Sequence, residues 1–247
     1  MPAVLLLHAG VADRTMWDDH LEPFAAAGYR VVAPDLVTGG APWADVVGTL
    51  DALGIDRAAL VGNSFGAAVA LQAAAVAPER VSALVLVSCP PLAGTPSAQL
   101  RAVWDAEEAA LERGDLDGAV DAMVDAWLLP DAPASLRERV GAMQRRVFEE
   151  QLAAGEPDEA EDPLEADPAV IERLELPALV AAGEHDMADF RLASLDLAQR
   201  LPQGHHTVIA NAGHLAPLEQ PEAFRAIVLA FLATENGSAQ AASRVAK

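Results

Sequence analysis

Short apolar segments alternate with longer amphipathic segments through the first 88 residues of the chain. The apolar segments are residues 3–7, 30–33, 58–61 and 81–87, and the amphipathic segments are residues 18–27, 43–53 and 65–77. Such alternation is typical of strands that helical crossovers join into a parallel sheet. Because the strand segments are almost wholly apolar, we expect helices to cover both faces of the sheet.

The pattern changes after Cys89-Pro90-Pro91, where the strand-like segments stop. Helical periodicity replaces them and places one stripe of apolar side chains on a single face: Leu116, Val120, Met123 and Trp127. Strands resume at 178–182 and 206–210, with helices at 190–201 and 221–233. We therefore predict an α/β core of residues 1–90 and 169–233, a helical cap of residues 91–168 and a disordered tail of residues 234–247.

The charge balance of the chain limits its partners. With 16 Lys and Arg against 37 Asp and Glu, the net charge of -21 argues against nucleic acid, which attracts basic proteins. The stretch 105–168 alone holds 19 carboxylates and 5 arginines. Solvated helix faces are the simplest explanation of that excess, and steering of a cationic substrate is the alternative.

The cysteine count and the N-terminal segment exclude further classes. One cysteine, Cys89, cannot form an internal disulfide, and no cluster of Cys and His has zinc spacing, so we expect no structural metal. The apolar run 4–7 is too short to span a membrane or to form a signal segment. A cytoplasmic protein without membrane partners is the default expectation.

The most informative motif is Gly62-Asn63-Ser64-Phe65-Gly66, which follows the strand 58–61 and opens the helix 65–77. A Gly-x-Ser-x-Gly at a strand-to-helix turn is typical of a nucleophile elbow, whose serine stands clear of the sheet beside free N–H groups. A glycine-rich turn with an incidental serine is the alternative. A phosphate loop is disfavoured because its lysine is absent, the only lysine being Lys247.

A nucleophilic serine needs a general base and an acid that orients the base. His214 follows the strand 206–210 and is therefore expected at the same carboxyl edge of the sheet as Ser64. Asp186 follows the strand 178–182 and is our choice for the acid, with Glu184 as the second candidate. The remaining candidate histidines are expected to have surface roles: His20, His205 and His206.

Ser64, Asp186 and His214, in this chain order and with a helical insertion between serine and acid, resemble the α/β-hydrolase fold. The resemblance runs from Val4 to about Leu232. It includes three further segments: Val4-Leu5-Leu6-Leu7-His8-Ala9-Gly10, Val32-Ala33-Pro34-Asp35-Leu36 and Gly213-His214-Leu215-Ala216-Pro217-Leu218-Glu219-Gln220-Pro221. The first of these, together with Met16-Trp17-Asp18, is similar to enol-lactonase-like members.

The resemblance also implies an oxyanion hole made by the backbone N–H groups of Phe65 and Gly10, with Val11 as the neighbour to consider. His8 would shape that loop by hydrogen bonding to backbone. In the family a hairpin precedes the first strand of this chain, so that hairpin is expected to be missing and the strand 30–33 to be an open edge. A homodimer through this edge is a hypothesis.

Serine at the elbow argues against the haloalkane dehalogenases and epoxide hydrolases of this fold, which use aspartate. The resemblance therefore implies hydrolysis of a carboxylic ester or lactone through an acyl-enzyme, without metal or organic cofactor. Candidate substrate-binding residues are Val11, Trp104, Met123, Trp127 and Leu215, with Met143 and Phe148 as further apolar residues of the cap. Packing inside the cap is the alternative for each cap residue.

Two other functions remain open. Gly-Asn-Ser also occurs in hydrolases that cleave carbon–carbon bonds of dienoic ketoacids, which need basic side chains for the substrate carboxylate. The candidates for that role are Arg145, Arg146 and Arg191. A lyase or a catalytically silent binding protein on the same fold is the third reading.

Overall fold

The computed structural model describes residues 1–36, 40–155 and 160–245, and its centre is one parallel sheet. The six strands are β1 Ala3–Leu7, β2 Arg30–Val32, β3 Ala58–Asn63, β4 Val81–Val87, β5 Ala178–Gly183 and β6 Gly204–Ile209. They lie in the order β2-β1-β3-β4-β5-β6, and every neighbouring pair is parallel. The predicted α/β class with about six strands is confirmed.

Helices cover both faces of the sheet. They are α1 Asp18–Ala26, α2 Pro42–Ala52, α3 Phe65–Val76, α4 Ala98–Glu112, α5 Leu116–Trp127, α6 Ala134–Ala154, α7 Pro163–Ala166, α8 Ala188–Arg200, α9 Ala216–Glu219 and α10 Pro221–Val245. Alternate residues of β1 enter two separate cores, since Val4 packs with Trp17 and Phe224 whereas Leu5 packs with Leu50 of α2. Burial on both faces explains why β1 carries no polar residue.

The helices of the insertion, α4 to α6, pack on one another. Val120, Met123 and Trp127 of the predicted stripe are buried, and Leu116 packs beside them while partly exposed. These residues belong to the same apolar cluster as Val4 of the sheet, so the insertion shares a core with the face that carries α1 and α10. The division into core and cap at residues 90 and 168 stays a prediction.

At the C-terminal end of the chain, the last helix is longer than predicted. Helix α10 spans Pro221–Val245, and residues 246 and 247 lie outside the described part. The disorder expected for the tail of residues 234–247 stays a prediction. No helix of the described ranges is both long and apolar enough to cross a membrane.

The two edge strands of the sheet are the shortest strand, β2, and a polar strand, β6. Among the described strands, β2 pairs with β1 alone and so forms the expected edge, although the homodimer through it stays a prediction. Strand β6 forms the other edge and begins at Gly204, earlier than predicted. His205 and His206 lie within this strand and are exposed, as their expected surface roles require. An edge strand is held by hydrogen bonds between backbone groups, so its side chains can be polar. The apolar pattern that identifies a strand in the sequence is then missing.

Candidate active site

The turn between β3 and α3 holds Ser64 in a strained backbone conformation, with φ 54° and ψ -118°. The residues two positions before and two positions after Ser64 must be glycine. A Cβ atom at Gly62 would lie 2.2 Å from the carbonyl oxygen of Gly66, and one at Gly66 would lie 2.2 Å from that of Leu7. The close approach of α3 to β3 and β1 therefore fixes the Gly-x-Ser-x-Gly pattern and exposes the serine at the strand end.

Three side chains meet at the carboxyl ends of the parallel strands, each from the loop after a different strand. His214 Nε2 lies 2.8 Å from Ser64 Oγ. His214 Nδ1 lies 3.0 Å and 3.2 Å from the two carboxylate oxygens of Asp186. The structure thus brings together the three residues that the sequence placed at the ends of β3, β5 and β6. In such a row an imidazole can take a proton from the hydroxyl while the carboxylate orients the ring.

The carboxylate of Asp186 is buried, with no side-chain exposure, and also accepts a bond from the backbone N–H of Met187 at 2.8 Å. Glu184, the second candidate for the acid, is placed differently. Its side chain is 50% exposed and accepts a bond from the backbone N–H of Asn211 at 2.9 Å. The geometry therefore joins Asp186 and not Glu184 to His214.

The loop of His214 is held by residues that the sequence analysis did not assign. The Asn63 side chain donates to the carbonyl oxygen of His214 at 3.1 Å. Glu219 accepts bonds from the backbone N–H of Gly213 at 2.7 Å and from that of Leu129 at 2.8 Å, so it ties the insertion to the His214 loop. Burial raises the pKa of Glu219, and the two N–H donors oppose that shift. The sequence signal that could have identified Glu219 is its position in the segment 213–221, the last segment of the family resemblance.

His20 also contacts the loop that carries His214. The surface role predicted for His20 is wrong, because its side chain is fully buried between the rings of Trp17 and Phe224. Its Nε2 lies 3.0 Å from the carbonyl oxygen of Pro217, just after His214. Burial lowers the pKa of His20 to about 4. A neutral ring that donates to Pro217 is therefore part of the packing under the site.

The backbone N–H groups expected to form an oxyanion hole lie next to Ser64. Gly10 and Phe65 are adjacent, since a Cβ atom at Gly10 would lie 3.5 Å from Cβ of Phe65. Among the hydrogen bonds of the described residues, none uses the backbone N–H of Gly10, Val11 or Phe65. These donors are free for a ligand oxygen.

His8 shapes the Gly10 loop as expected. Its Nε2 accepts a bond from the backbone N–H of Leu36 at 2.8 Å, and its Nδ1 lies 2.9 Å from the carbonyl oxygen of Ala9. Burial lowers the pKa of His8. These two contacts assign the proton to Nδ1 and hold the ring neutral between two backbone segments.

Two cavities open onto Ser64. The apolar cavity, of about 270 Å³, is lined mainly by Phe65, Pro90, Pro91, Pro96, Leu100, Trp104, Trp127 and Phe190. The polar cavity, of about 210 Å³, is lined by Gly10, Val11, Glu107, Met123, Trp127, Gln144, Phe148, Gln151 and His214. Ser64 lies at the junction because it lines both.

The predicted pocket residues divide between these cavities. Trp104 lines the apolar cavity, and Val11 and Met123 line the polar cavity. Trp127 lines both, and its ring centroid lies 4.3 Å from that of His214, with the two rings tilted by 39°. Leu215 lines neither cavity, so its assignment to substrate binding is wrong. The reason is that its side chain is fully buried in the apolar core below the loop.

None of the arginines proposed for a substrate carboxylate lines either cavity. Arg145 pairs with Asp117, and Arg146 pairs with Asp13 at 2.5 Å. Arg191 is exposed on α8. Among the described residues, neither cavity is lined by an arginine or a lysine.

Comparison with known proteins gives consistent matches over most of the chain. A model of the alpha/beta hydrolase family matches residues 4–227. The 2-hydroxymuconate semialdehyde hydrolase of Pseudomonas putida is 34% identical over 221 residues, which cover 83% of this chain and 77% of that protein.

Solved structures are similar over nearly the whole chain. A thermophilic esterase from Thermogutta terrifontis has a TM-score of 0.80 at 26% identity, covering 95% of this chain and 90% of the other. The enol-lactonase from Burkholderia xenovorans has a TM-score of 0.74 at 24% identity, with 94% and 91% covered. The second likeness shows the fold alone.

Proposed function

Because the chain belongs to the alpha/beta hydrolase family, we propose that this hydrolase cleaves carboxylic esters or lactones whose acyl group is uncharged, with Ser64 as nucleophile. The observation that carries the proposal is the hydrogen-bonded row of Ser64, His214 and Asp186 at the junction of two cavities that, within the described part of the chain, no arginine or lysine lines. An uncharged acyl group suits the apolar cavity, because apolar surface removed from water is stabilised there.

In the first half of the reaction, Ser64 Oγ attacks the carbonyl carbon while its proton passes to His214 Nε2. Asp186 stabilises the imidazolium that results. The negative charge that develops on the carbonyl oxygen is stabilised by the N–H groups of Gly10 and Phe65, and one such donor contributes about 2.7–4 kcal/mol to the transition state.

His214 then gives the proton to the leaving alcohol oxygen as the carbon–oxygen bond breaks, which leaves an acyl-enzyme on Ser64. In the second half, water attacks the acyl carbon while His214 takes its proton, and Ser64 leaves with that proton. Trp127 and Phe190, whose rings each lie 4.3 Å from the His214 ring, shield this proton transfer from bulk solvent.

Hydrolysis of a carbon–carbon bond in a dienoic ketoacid is the second candidate. The similarity to the hydrolase of Pseudomonas putida favours it. The cavities argue against it, because a carboxylate buried without a cationic partner loses its hydration without compensation. An ester or lactone with an uncharged acyl group therefore fits this chain better. The lyase and the silent binding protein predict no ester turnover.

The charge of the acyl group provides the test. We expect p-nitrophenyl butyrate to be hydrolysed with a kcat/KM at least about tenfold higher than the p-nitrophenyl monoester of succinate, which carries a carboxylate of similar length. A 2-hydroxy-6-oxo-dienoate is measured in parallel. Faster turnover of the dienoate than of the uncharged ester would instead support the carbon–carbon hydrolase.

A further inference from the structure

The polar cavity contains a carboxyl group with no partner. Glu107 of α4 is half-buried at the cavity wall, and among the described residues no hydrogen bond or ion pair satisfies it. Burial raises the pKa of Glu107, since the cavity wall takes water away from its charged form. A cation bound beside this carboxylate would offset the cost of its burial.

A second group in the cavity also lacks a partner. Gln144 of α6 is 2% exposed and lines the same cavity, and its side-chain Oε1 accepts no hydrogen bond from any described residue. A buried acceptor without a donor costs free energy unless a ligand or water supplies one. The Oε1 atom of Gln144 is itself buried, so Glu107 is the acceptor that a ligand in the cavity would meet, and no cationic side chain lines this cavity among the described residues.

The position of His214 indicates which part of a substrate would meet this acceptor. His214 lines the polar cavity and does not line the apolar one. Because the general acid must deliver its proton to the leaving oxygen, the leaving group lies on the side of His214. The acyl group then occupies the apolar cavity, and the alcohol occupies the polar cavity.

From this arrangement we propose that the polar cavity is a leaving-group subsite for an alcohol that carries a protonated amine, whose N–H⁺ donates to Glu107. The substrates of this class are esters of amino alcohols with an apolar acyl group. The inference rests on the proposed function for the orientation of the ester. Glu107 lies within the stretch 105–168, whose excess of acidic residues attracts such a cation from a distance.

Two isosteric esters test the subsite: 2-(dimethylamino)ethyl butyrate, protonated at neutral pH, and 3-methylbutyl butyrate, in which CH replaces N–H⁺. We expect the kcat/KM of the amino ester to be about tenfold higher, and the ratio to fall to about one in Glu107→Gln. The matched control is Glu108→Gln, which removes the same charge from an exposed position on α4 and should keep the ratio. A choline ester, which has the charge without the N–H⁺, should lie between the two.

Binding of both esters to Ser64→Ala by calorimetry separates this proposal from the proposed function, because it requires no turnover. A tighter Kd for the amino ester that disappears in Ser64→Ala/Glu107→Gln supports the subsite even if no ester is hydrolysed. Equal binding of the two esters, or an equal loss of preference in Glu107→Gln and Glu108→Gln, would overturn it. Hydrolysis of p-nitrophenyl butyrate without any such preference would leave the proposed function standing and remove the subsite alone.

Discussion

Ser64→Ala is expected to lower kcat for p-nitrophenyl butyrate by about 10⁴-fold or more, since no other group can form the acyl-enzyme. Activity is measured with enzyme purified in parallel with the wild type, so that contaminating esterases are subtracted. Removal of one small polar atom at the cavity junction should leave the folded state intact, which circular dichroism and the Tm will show.

Ser88→Ala is the matched control for this variant. Ser88 follows β4 at the same carboxyl end of the strands and has a positive φ of 50°. Its buried Oγ has no hydrogen-bond partner among the described residues. The substitution should therefore keep kcat within about twofold of the wild type, as expected for a residue without a catalytic partner. Ester hydrolysis that survives in Ser64→Ala would remove Ser64 as the nucleophile.

Asp186→Asn is expected to lower kcat by about 10⁴-fold, because an amide cannot hold the His214 ring in the tautomer that accepts a proton from Ser64. The effect should be on kcat more than on KM, since Asp186 does not touch the substrate. Kinetics with p-nitrophenyl butyrate at saturating concentration provide the measurement.

Glu184→Gln is the control for Asp186→Asn. Glu184 lies two residues away in the same loop but is bonded to Asn211 and half exposed, so its kcat should stay within about twofold of the wild type. A larger loss in Glu184→Gln than in Asp186→Asn would reverse the assignment of the acid.

The sheet could be predicted from the sequence because burial on both faces leaves a direct trace in it. Strand β1 is apolar at every position. The glycines at 62 and 66 are required by close backbone contacts, and the Gly-x-Ser-x-Gly motif indicates such contacts in the sequence. The start of β6 could not be predicted in this way. His205 and His206 lie on an edge strand, where backbone pairing needs no apolar side chain.

The candidate site could be predicted only in part. Ser64, Asp186 and His214 follow strands at one edge, so parallel topology alone places them together. Other contacts depend on distant parts of the chain: His20 reaches Pro217 across 197 residues, and Glu219 reaches Leu129 across 90. No local pattern carries such pairings, which is why a buried histidine was assigned to the surface.

The pocket shows the same limit. Helical spacing identified Met123 and Trp127 as apolar, and both line a cavity, but the same spacing cannot separate packing from lining. Glu107 looked like one more acidic residue on a solvated helix. Its burial becomes visible only when α4 is packed against α5.

The central claim is that His214 and Asp186 activate Ser64 for attack, and covalent labelling tests it without a choice of substrate. Diisopropyl fluorophosphate should add one phosphoryl group per chain, on the peptide that contains Ser64, as found by intact mass and peptide mapping. His214→Ala should slow this reaction strongly, because the hydroxyl then has no base. An unlabelled wild-type protein, or a label on another residue, would contradict the account.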